Sequence, residues 1–190
     1  MLKKLLIVGL LCTLGGARIS KLNLPEAEVI QGAFSRCSYL KTVSAPKAKI
    51  LSETFSYCSN LSEVYAPELK IIGDYAFSRC SALASIYAPK VIGIGNNAFT
   101  YCSSLTEINF SNVKFINYGG FYDCENLSYV SLPELRLAGE SAFNRCYKLT
   151  SIYAPHLTYL SSSAFRQRPN GLQIFNRCRW HKPCEKQNRV

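Results

Sequence analysis

The stretch from Leu61 to Cys80 reads LSEVYAPELKIIGDYAFSRC, and a close variant, LASIYAPKVIGIGNNAFTYC, follows from Leu83 to Cys102. Both stretches keep the same residue types in the same places, and the phenylalanine near the end is the clearest marker. Along the whole chain this phenylalanine recurs at spacings of 21 or 22 residues: Phe34, Phe55, Phe77, Phe99, Phe121, Phe143 and Phe165. A fixed period in this range predicts a repeat protein whose units stack to bury one continuous core.

Positions counted from the phenylalanine show which side chains are buried, because a residue type that recurs in every copy meets the same environment. Cysteine occupies plus three, leucine plus six, and valine or isoleucine plus nine. Around plus nine, as in Leu83–Pro89, β-branched and aromatic residues alternate inward and outward, which predicts a strand. Proline at plus twelve lacks a donor and ends that strand.

The second half of the unit predicts a corner and one helical turn. After two aliphatic positions comes a residue suited to positive φ, and a potential helix N-cap stands three residues before the phenylalanine. The predicted corner residues are Gly73, Gly95, Asn117 and Gly139, and the predicted N-caps are Ser52, Asp74, Asn96 and Ser162.

The pattern Leu-x-x-Ile-x-x-Pro-x-Leu-x-x-Ile-Gly-x-x-Ala-Phe-x-x-Cys resembles the BspA-like (Treponema-type) leucine-rich repeat family, over about Ile19 to Ile174. The resemblance implies an α/β solenoid: a right-handed leucine-rich-repeat-type coil with a parallel β-ladder on one face and short helical turns on the other. It also implies a bacterial or protist surface protein whose usual role is adhesion or protein binding. Arg168 and Gly171, which replace the expected cysteine and leucine, mark decay of the array near residue 166.

Charge is unevenly spread along the 190 residues, whose formal net charge is +10. Residues 18–165, the predicted solenoid of about 22-residue units, carry 13 basic and 11 acidic side chains. Residues 166–190 carry seven basic side chains and one acidic one, which predicts a decayed last repeat and a basic C-terminal tail or cap. A basic tail on a near-neutral solenoid favours a solvated end, and no nucleic-acid partner is expected.

The column of cysteines from Cys37 to Cys146 predicts buried free thiols that bond to nearby backbone. Column mates lie roughly 4.8 Å apart with parallel Cβ atoms, a geometry that does not suit disulfides. Cys178 and Cys184 lie outside the repeat and could pair if the protein is exported. With His181 they offer only three ligands and no C-x-x-C pair, so no metal site and no cofactor is expected.

The first seventeen residues predict a secretory signal. Lys3 and Lys4 precede an apolar run, and small residues follow at Gly15, Gly16 and Ala17. The run is about ten residues long, roughly half of what a membrane span needs, so no transmembrane segment is expected. The alternative is an apolar N-terminal cap that covers the first open face of the solenoid.

The exposed side chains of the predicted strands form the candidate ligand-binding face. Side chains at plus eight and plus ten point away from the core because plus nine is buried. Tyrosines on this face, with Tyr65 stacked beside Tyr87, favour recognition of a protein or glycan, although tyrosine is also a good strand former. The predicted ligand-binding residues are Glu63, Tyr65, Ser85, Tyr87, Glu107, Asn109, Tyr129, Ser131 and Tyr153, and Thr42 and Ser44 share the face.

Three functions are compatible with this pattern. The first is a non-enzymatic, secreted or cell-surface protein that binds its ligand through the strand face. The second is an intracellular leucine-rich-repeat scaffold or adaptor that retains residues 1–17 as a cap. The third is a hydrolase that uses Glu63 and Glu107, which lie two units apart, but an open ladder offers no pocket to raise one pKa. No nucleophile motif accompanies His156 or His181, so an enzyme is not expected.

Overall fold

The computed structural model describes residues 18–167 and 171–175, with fifteen short strands. Ladder strands alternate along the chain with strands of a second set, so each 22-residue unit forms one coil with one strand of each set. The ladder strands are β1 (Lys21–Asn23), β3 (Thr42–Ser44), β5 (Glu63–Tyr65), β7 (Ser85–Tyr87), β9 (Glu107–Asn109), β11 (Tyr129–Ser131), β13 (Ser151–Tyr153) and β15 (Gln173–Phe175). The second set is β2 (Val29–Gln31), β4 (Ile50–Ser52), β6 (Ile71–Ile72), β8 (Gly93–Ile94), β10 (Phe115–Ile116), β12 (Leu137–Ala138) and β14 (Tyr159–Leu160).

All strand pairs are parallel and join equivalent residues of successive coils. Val64 lies opposite Val43 on one side and Ile86 on the other, as the prediction of stacked rows requires. The predicted parallel ladder is therefore confirmed. The second set forms a parallel sheet of its own, called the long sheet here, which the sequence analysis did not predict.

A row of stacked phenylalanines runs through the core. Ring centroids of successive coils lie 5.0 to 5.8 Å apart with nearly parallel planes, from Phe34 to Phe165. Phe55, Phe77, Phe99 and Phe121 are fully buried. Each ring thus covers its neighbours, so no coil could bury its own apolar side chains alone.

The predicted helical turns are wrong, because no described residue of the segment around the phenylalanine is helical. This segment, called the loop face here, has left-handed backbone two residues before and two residues after the phenylalanine. In one coil these are Tyr75 at φ 50° and Arg79 at φ 62°. The N–H of Phe77 donates to the carbonyl of Ala98 in the next coil at 2.8 Å. Alternate donors of the segment therefore bond between coils, while Ser78 N–H donates to Tyr75 within its own coil, so no continuous helix forms.

The predicted roles of the corner residues and N-caps are also wrong. Gly73, Gly95 and Gly139 do not have positive φ. A Cβ on Gly95 would lie 2.6 Å from the backbone of Gly73, so close approach of neighbouring coils explains the glycine. Asp74 caps no helix; it accepts hydrogen bonds from the backbone and side-chain nitrogens of Asn96 in the next coil, at 2.7 and 3.0 Å.

One corner of the coil tolerates a change of length. Three residues lie between Leu51 and Phe55, whereas four lie between the equivalent Ile72 and Phe77. Leu51 and Ile72 are nevertheless paired in register, and the two phenylalanine rings stack at 5.8 Å. The loop between the long sheet and the phenylalanine therefore accommodates the one-residue difference between the first phenylalanine spacing, 21 residues, and the later ones, 22 residues.

The ladder is split in the middle, which gives an amino-terminal ladder (β1, β3, β5, β7) and a carboxy-terminal ladder (β9, β11, β13, β15). No Cα atom of β7 lies within 8 Å of one in β9. On either side of the split the coils stay bonded, through Ser104 N–H to the Ser81 carbonyl and Asn112 Nδ2 to the Pro89 carbonyl. The split is therefore confined to the strand and the residues directly beside it.

A departure from the repeat lies next to the split. The residue two positions after the buried valine or isoleucine is alanine in Ala45, Ala66 and Ala88, but it is phenylalanine in Phe110. The Phe110 ring is buried under β9 with its centroid 6.4 Å from that of Phe99. Interiors are close-packed, so a ring in place of a methyl group displaces the strand above it.

Candidate functional site

The predicted ligand-binding residues lie on the outward surface of both ladders, called the ladder face here. On the amino-terminal ladder, Glu63 is paired with Ser85 and Tyr65 with Tyr87. On the carboxy-terminal ladder, one outward row contains Glu107 and Tyr129, and the other contains Asn109, Ser131 and Tyr153. The split separates these two groups, so the structure does not bring all nine residues into one continuous surface.

Tyr65 and Tyr87 form a stacked pair, as predicted. Their ring centroids lie 5.5 Å apart and their planes differ by 6°. The two residues keep 49% and 57% of their surface exposed, although stacking covers one face of each ring. A rigid aromatic pair that remains half exposed provides contact area at a low cost in side-chain entropy.

The stacked pair lies in a groove of about 690 Å³ on the amino-terminal ladder. Glu63 and Ser85 border the same groove. Sequence analysis missed Lys21 and Asn23 on β1 as part of it, although strand alternation in the earliest unit could have indicated them. The groove thus offers apolar rings together with hydroxyl, amide and charged groups within four adjacent strands.

Tyr129 and Tyr153 on the carboxy-terminal ladder are also exposed, at 42% and 43%. They occupy different rows, so they do not form a stacked pair like Tyr65 and Tyr87. The amino-terminal ladder, with its stacked tyrosine pair, is therefore the better candidate for aromatic ligand contacts.

The cysteine column behaves as predicted over five coils. Each thiol donates to the carbonyl of a phenylalanine in the preceding coil, as Cys102 Sγ does to Phe77 at 3.1 Å. Burial raises the pKa of the Cys58 and Cys146 thiols to about 12, and it raises the pKa of Cys80, Cys102 and Cys124 too. These thiols are packing residues whose reactive thiolate form is disfavoured.

Cys37, the first member of the column, is disulfide-bonded. The prediction of a free thiol is wrong at this position. Cys178, His181 and Cys184 lie outside the described residues, as do residues 1–17.

The carboxylates proposed for a hydrolase are not brought together. Glu63 and Glu107 lie on different ladders, with the split between Ser85 and Glu107. Among residues 18–167 and 171–175, no group of three His, Cys, Asp or Glu side chains could hold a metal ion. The same residues contain no helix of the length and apolar character needed to cross a bilayer.

Sequence analysis missed a second column of large exposed side chains, on the loop face. The residue two positions after each core phenylalanine alternates between arginine and tyrosine over the first four coils: Arg36, Tyr57, Arg79 and Tyr101. The alternation is visible in the aligned repeats, but its geometry depends on the left-handed backbone, which the predicted helical turn excluded.

Fold and site together define a leucine-rich-repeat-type solenoid, a class whose members generally serve as non-enzymatic binding scaffolds. A family model described as "BspA type Leucine rich repeat region (6 copies)" matches residues 15–91 and 48–171. The chain belongs to the BspA-type leucine-rich repeat family.

Solved structures similar to this chain include two leucine-rich repeat proteins. A leucine-rich repeat protein from Bacteroides ovatus is 25% identical with a TM-score of 0.73, and the match covers 83% of this chain and 42% of that one. The T. pallidum leucine-rich repeat protein is also 25% identical, with a TM-score of 0.61 and coverage of 70% and 79%. This chain therefore spans less than half of the Bacteroides protein. No curated protein is similar enough to count as a match.

Proposed function

We propose that this protein binds a protein or glycan ligand through the ladder face, without catalysis, and that it acts in a secreted or cell-surface setting. The observation that carries the proposal is the stacked Tyr65–Tyr87 pair, half exposed in a groove with Glu63 and Ser85 beside it. Exposed aromatic pairs are costly to leave in water and are typical of recognition surfaces.

The ligand-binding proposal is tested by capture from host or neighbouring-cell surface extracts and by binding to a glycan array. The wild-type protein is compared with the double variant Tyr65→Ala/Tyr87→Ala. Tyr159→Ala is the matched control, because Tyr159 is 55% exposed but lies on the long sheet. We expect the double variant to lose the captured ligand and the control to retain it. Equal capture by all three proteins would contradict a role for the pair.

The carboxy-terminal ladder contributes less in this proposal. Tyr129→Ala/Tyr153→Ala removes two tyrosines of similar exposure that do not stack on each other. We expect this variant to weaken capture less than loss of the Tyr65–Tyr87 pair. A larger effect would indicate that the main ligand-binding site lies on the carboxy-terminal ladder.

The proposed location is tested by N-terminal sequencing of protein from its native source. A start at Arg18 supports export, as the apolar N-terminal run predicts. A retained Met1 in cytosolic protein contradicts export and favours the scaffold or adaptor.

A further inference from the structure

A second groove, of about 820 Å³, lies on the loop face and shares no residue with the ladder face. It runs across several coils, between the positions two residues before and two residues after each core phenylalanine. Hydroxyl side chains that directly follow those phenylalanines form part of its lining: Ser35, Ser56, Ser78 and Thr100. Its larger lining side chains are Tyr57, Tyr75, Arg79, Tyr101 and Tyr118.

Arg79 is held in this groove between two aromatic rings. Its Cζ atom lies 5.3 Å from the ring centroid of Tyr57 and 4.3 Å from that of Tyr101. Cation–π contacts on both sides fix the guanidinium without using its N–H groups. Within residues 18–167 and 171–175, those N–H groups donate to no carboxylate or carbonyl, so they remain available to a ligand.

Arg145, a later arginine of the same column, differs from Arg79 because its side chain has hydrogen-bond partners within the protein. Its Nη1 donates to Asp123 Oδ2 and its Nε to the Tyr147 hydroxyl, both at 3.1 Å. Asp123 occupies the column position one coil before Arg145, whereas tyrosine occupies the equivalent position before Arg79. Arg145 is therefore paired with a carboxylate of the preceding coil, whereas Arg79 has no carboxylate at the equivalent position.

Packing does not explain the large side chains that line this groove. Tyr57, Tyr75 and Arg79 adopt left-handed backbone with φ between 50° and 63°, which is unfavourable for any residue with a Cβ. Tyr57 and Tyr75 are also 47% and 46% exposed, so they gain little from burial. Because other coils adopt the same backbone at Ser141 and Arg145, the size and exposure of the tyrosines, and not the backbone, distinguish this groove.

We infer that the loop-face groove binds a linear anionic glycan. The free N–H groups of Arg79 match the two oxygens of a carboxylate or sulfate. The open rings of Tyr75 and Tyr118 can pack against sugar faces, and the side-chain NH2 of Asn97 can donate to a sugar hydroxyl. The nearest unpaired guanidinium in the column is Arg36, two coils away, or about 10 Å by strand spacing.

The sparse charge of the groove favours a glycan over nucleic acid. The groove lining contains one guanidinium, Arg79, and one carboxylate, Glu53, and Arg36 stands in the same column just outside that lining. A nucleic acid carries a phosphate on every nucleotide and needs clustered basic residues. A glycan with an acidic group on alternate sugars matches two separated guanidiniums and can donate hydroxyls to Glu53.

The test measures binding of three probes by isothermal titration calorimetry at low salt. Hyaluronan oligosaccharides present carboxylates on alternate sugars, chondroitin sulfate adds sulfates, and dextran is neutral. We expect wild-type protein to bind at least one acidic probe and not dextran. Binding of hyaluronan indicates that carboxylates suffice, whereas binding of chondroitin sulfate alone indicates a sulfated ligand. Failure of both acidic probes, or equal binding of dextran, overturns the inference.

Variants locate the binding in the groove. Arg79→Gln should weaken the acidic probe by about tenfold or more, since the bidentate, charge-assisted bond is lost. Arg136→Gln is the matched control, because it removes the same charge from an exposed residue that does not line the groove. Tyr65→Ala/Tyr87→Ala should leave this affinity unchanged, which separates the groove from the ladder face. Equal loss with Arg79→Gln and Arg136→Gln would indicate general charge attraction and overturn the assignment.

Discussion

The long sheet and the ladder face are built from the same coils, yet one is continuous and the other is split. The long sheet pairs seven strands without interruption, whereas the ladder pairs four strands, stops, and pairs four more. Both sheets pass through the coils that contain β7 and β9, so the period alone does not determine pairing. The interruption coincides with one inward residue, Phe110, so we expect that residue size at this position decides whether neighbouring strands meet.

The largest effect should distinguish two isoleucines of the same coil. Ile94 is fully buried in the long sheet, whereas Ile86 on β7 is only partly buried beside the split. We expect Ile94→Ala to lower the free energy of unfolding by about 3–4 kcal/mol and Ile86→Ala by about 1–2 kcal/mol. Urea denaturation at pH 7 measures both. Equal losses would show that the split leaves β7 as well packed as the long sheet.

Alkaline pH should destabilise coils on both sides of the split. Cys102 and Cys124 donate to Phe77 and Phe99, so the thiol column continues past it. In the unfolded chain these thiols ionise near pH 9, whereas burial raises the pKa of Cys58 and Cys146 to about 12 in the fold. The stabilising contribution of the neutral Cys58 and Cys146 thiols is therefore complete below about pH 9 and is lost as pH rises towards 12.

Each such thiol should lower the free energy of unfolding by about 1.4 kcal/mol per pH unit in that window. Urea denaturation at pH 7, 9 and 10 in the presence of reductant measures the slope. Cys58→Ala is the control for other groups that titrate there, because it removes the contribution of one thiol. A slope unchanged by this substitution would contradict the assignment to the column.

Hydrogen exchange should locate the split at single amides. The backbone N–H of Ala66 donates to Tyr87 at 3.0 Å and that of Leu132 donates to Tyr153 at 2.8 Å. The equivalent N–H of Ala88 has no acceptor in β9, although Ala88 is only 3% exposed. We expect the Ala88 amide to exchange about tenfold faster than that of Ala66, since it lacks this bond.

The double substitution Phe110→Ala/Ser111→Pro restores the usual residues of the repeat at β9. If Phe110 holds the strands apart, the ladder should close and exchange at Ala88 should slow to the rate of Ala66. Unchanged exchange at Ala88 in a folded double variant would show that another residue causes the split.

The smallest effect should come from ion pairs that join successive coils at the surface. Lys90 Nζ lies 2.7 Å from Glu68 Oε1, and both side chains are about half exposed. Glu68→Gln should change the free energy of unfolding by less than about 0.5 kcal/mol, because water screens such pairs. A loss above 1 kcal/mol in urea denaturation would show that cross-coil charges support the stack as much as packing does.

The sequence predicted those parts of the fold that are marked by the same residue type at the same position of successive units. The phenylalanine period indicated the stacked rings, the cysteine column indicated thiols bonded to backbone, and strand alternation indicated the Tyr65–Tyr87 pair. These predictions succeeded because each depends on side chains that meet identical neighbours in every coil.

The remaining features depend on backbone bonding or on exceptions to the repeat. The N–H of Phe77 could donate within a helical turn or across to Ala98, and residue type does not distinguish the two. Gly95 indicated positive φ, but its cause is the neighbouring backbone of Gly73. Phe110 was one apolar residue among many until the structure placed it beneath a strand. The arginine–tyrosine column was missed because a helical turn would have dispersed it.

The loop that has three residues between Leu51 and Phe55, and four between Ile72 and Phe77, marks where this array can vary in length. Insertions there leave both sheets in register, whereas one extra residue inside a ladder strand would exchange its buried and exposed side chains. Natural variation and engineered tags should therefore be tolerated best at this corner. Duplicating a whole unit would extend the array by one coil and preserve every row.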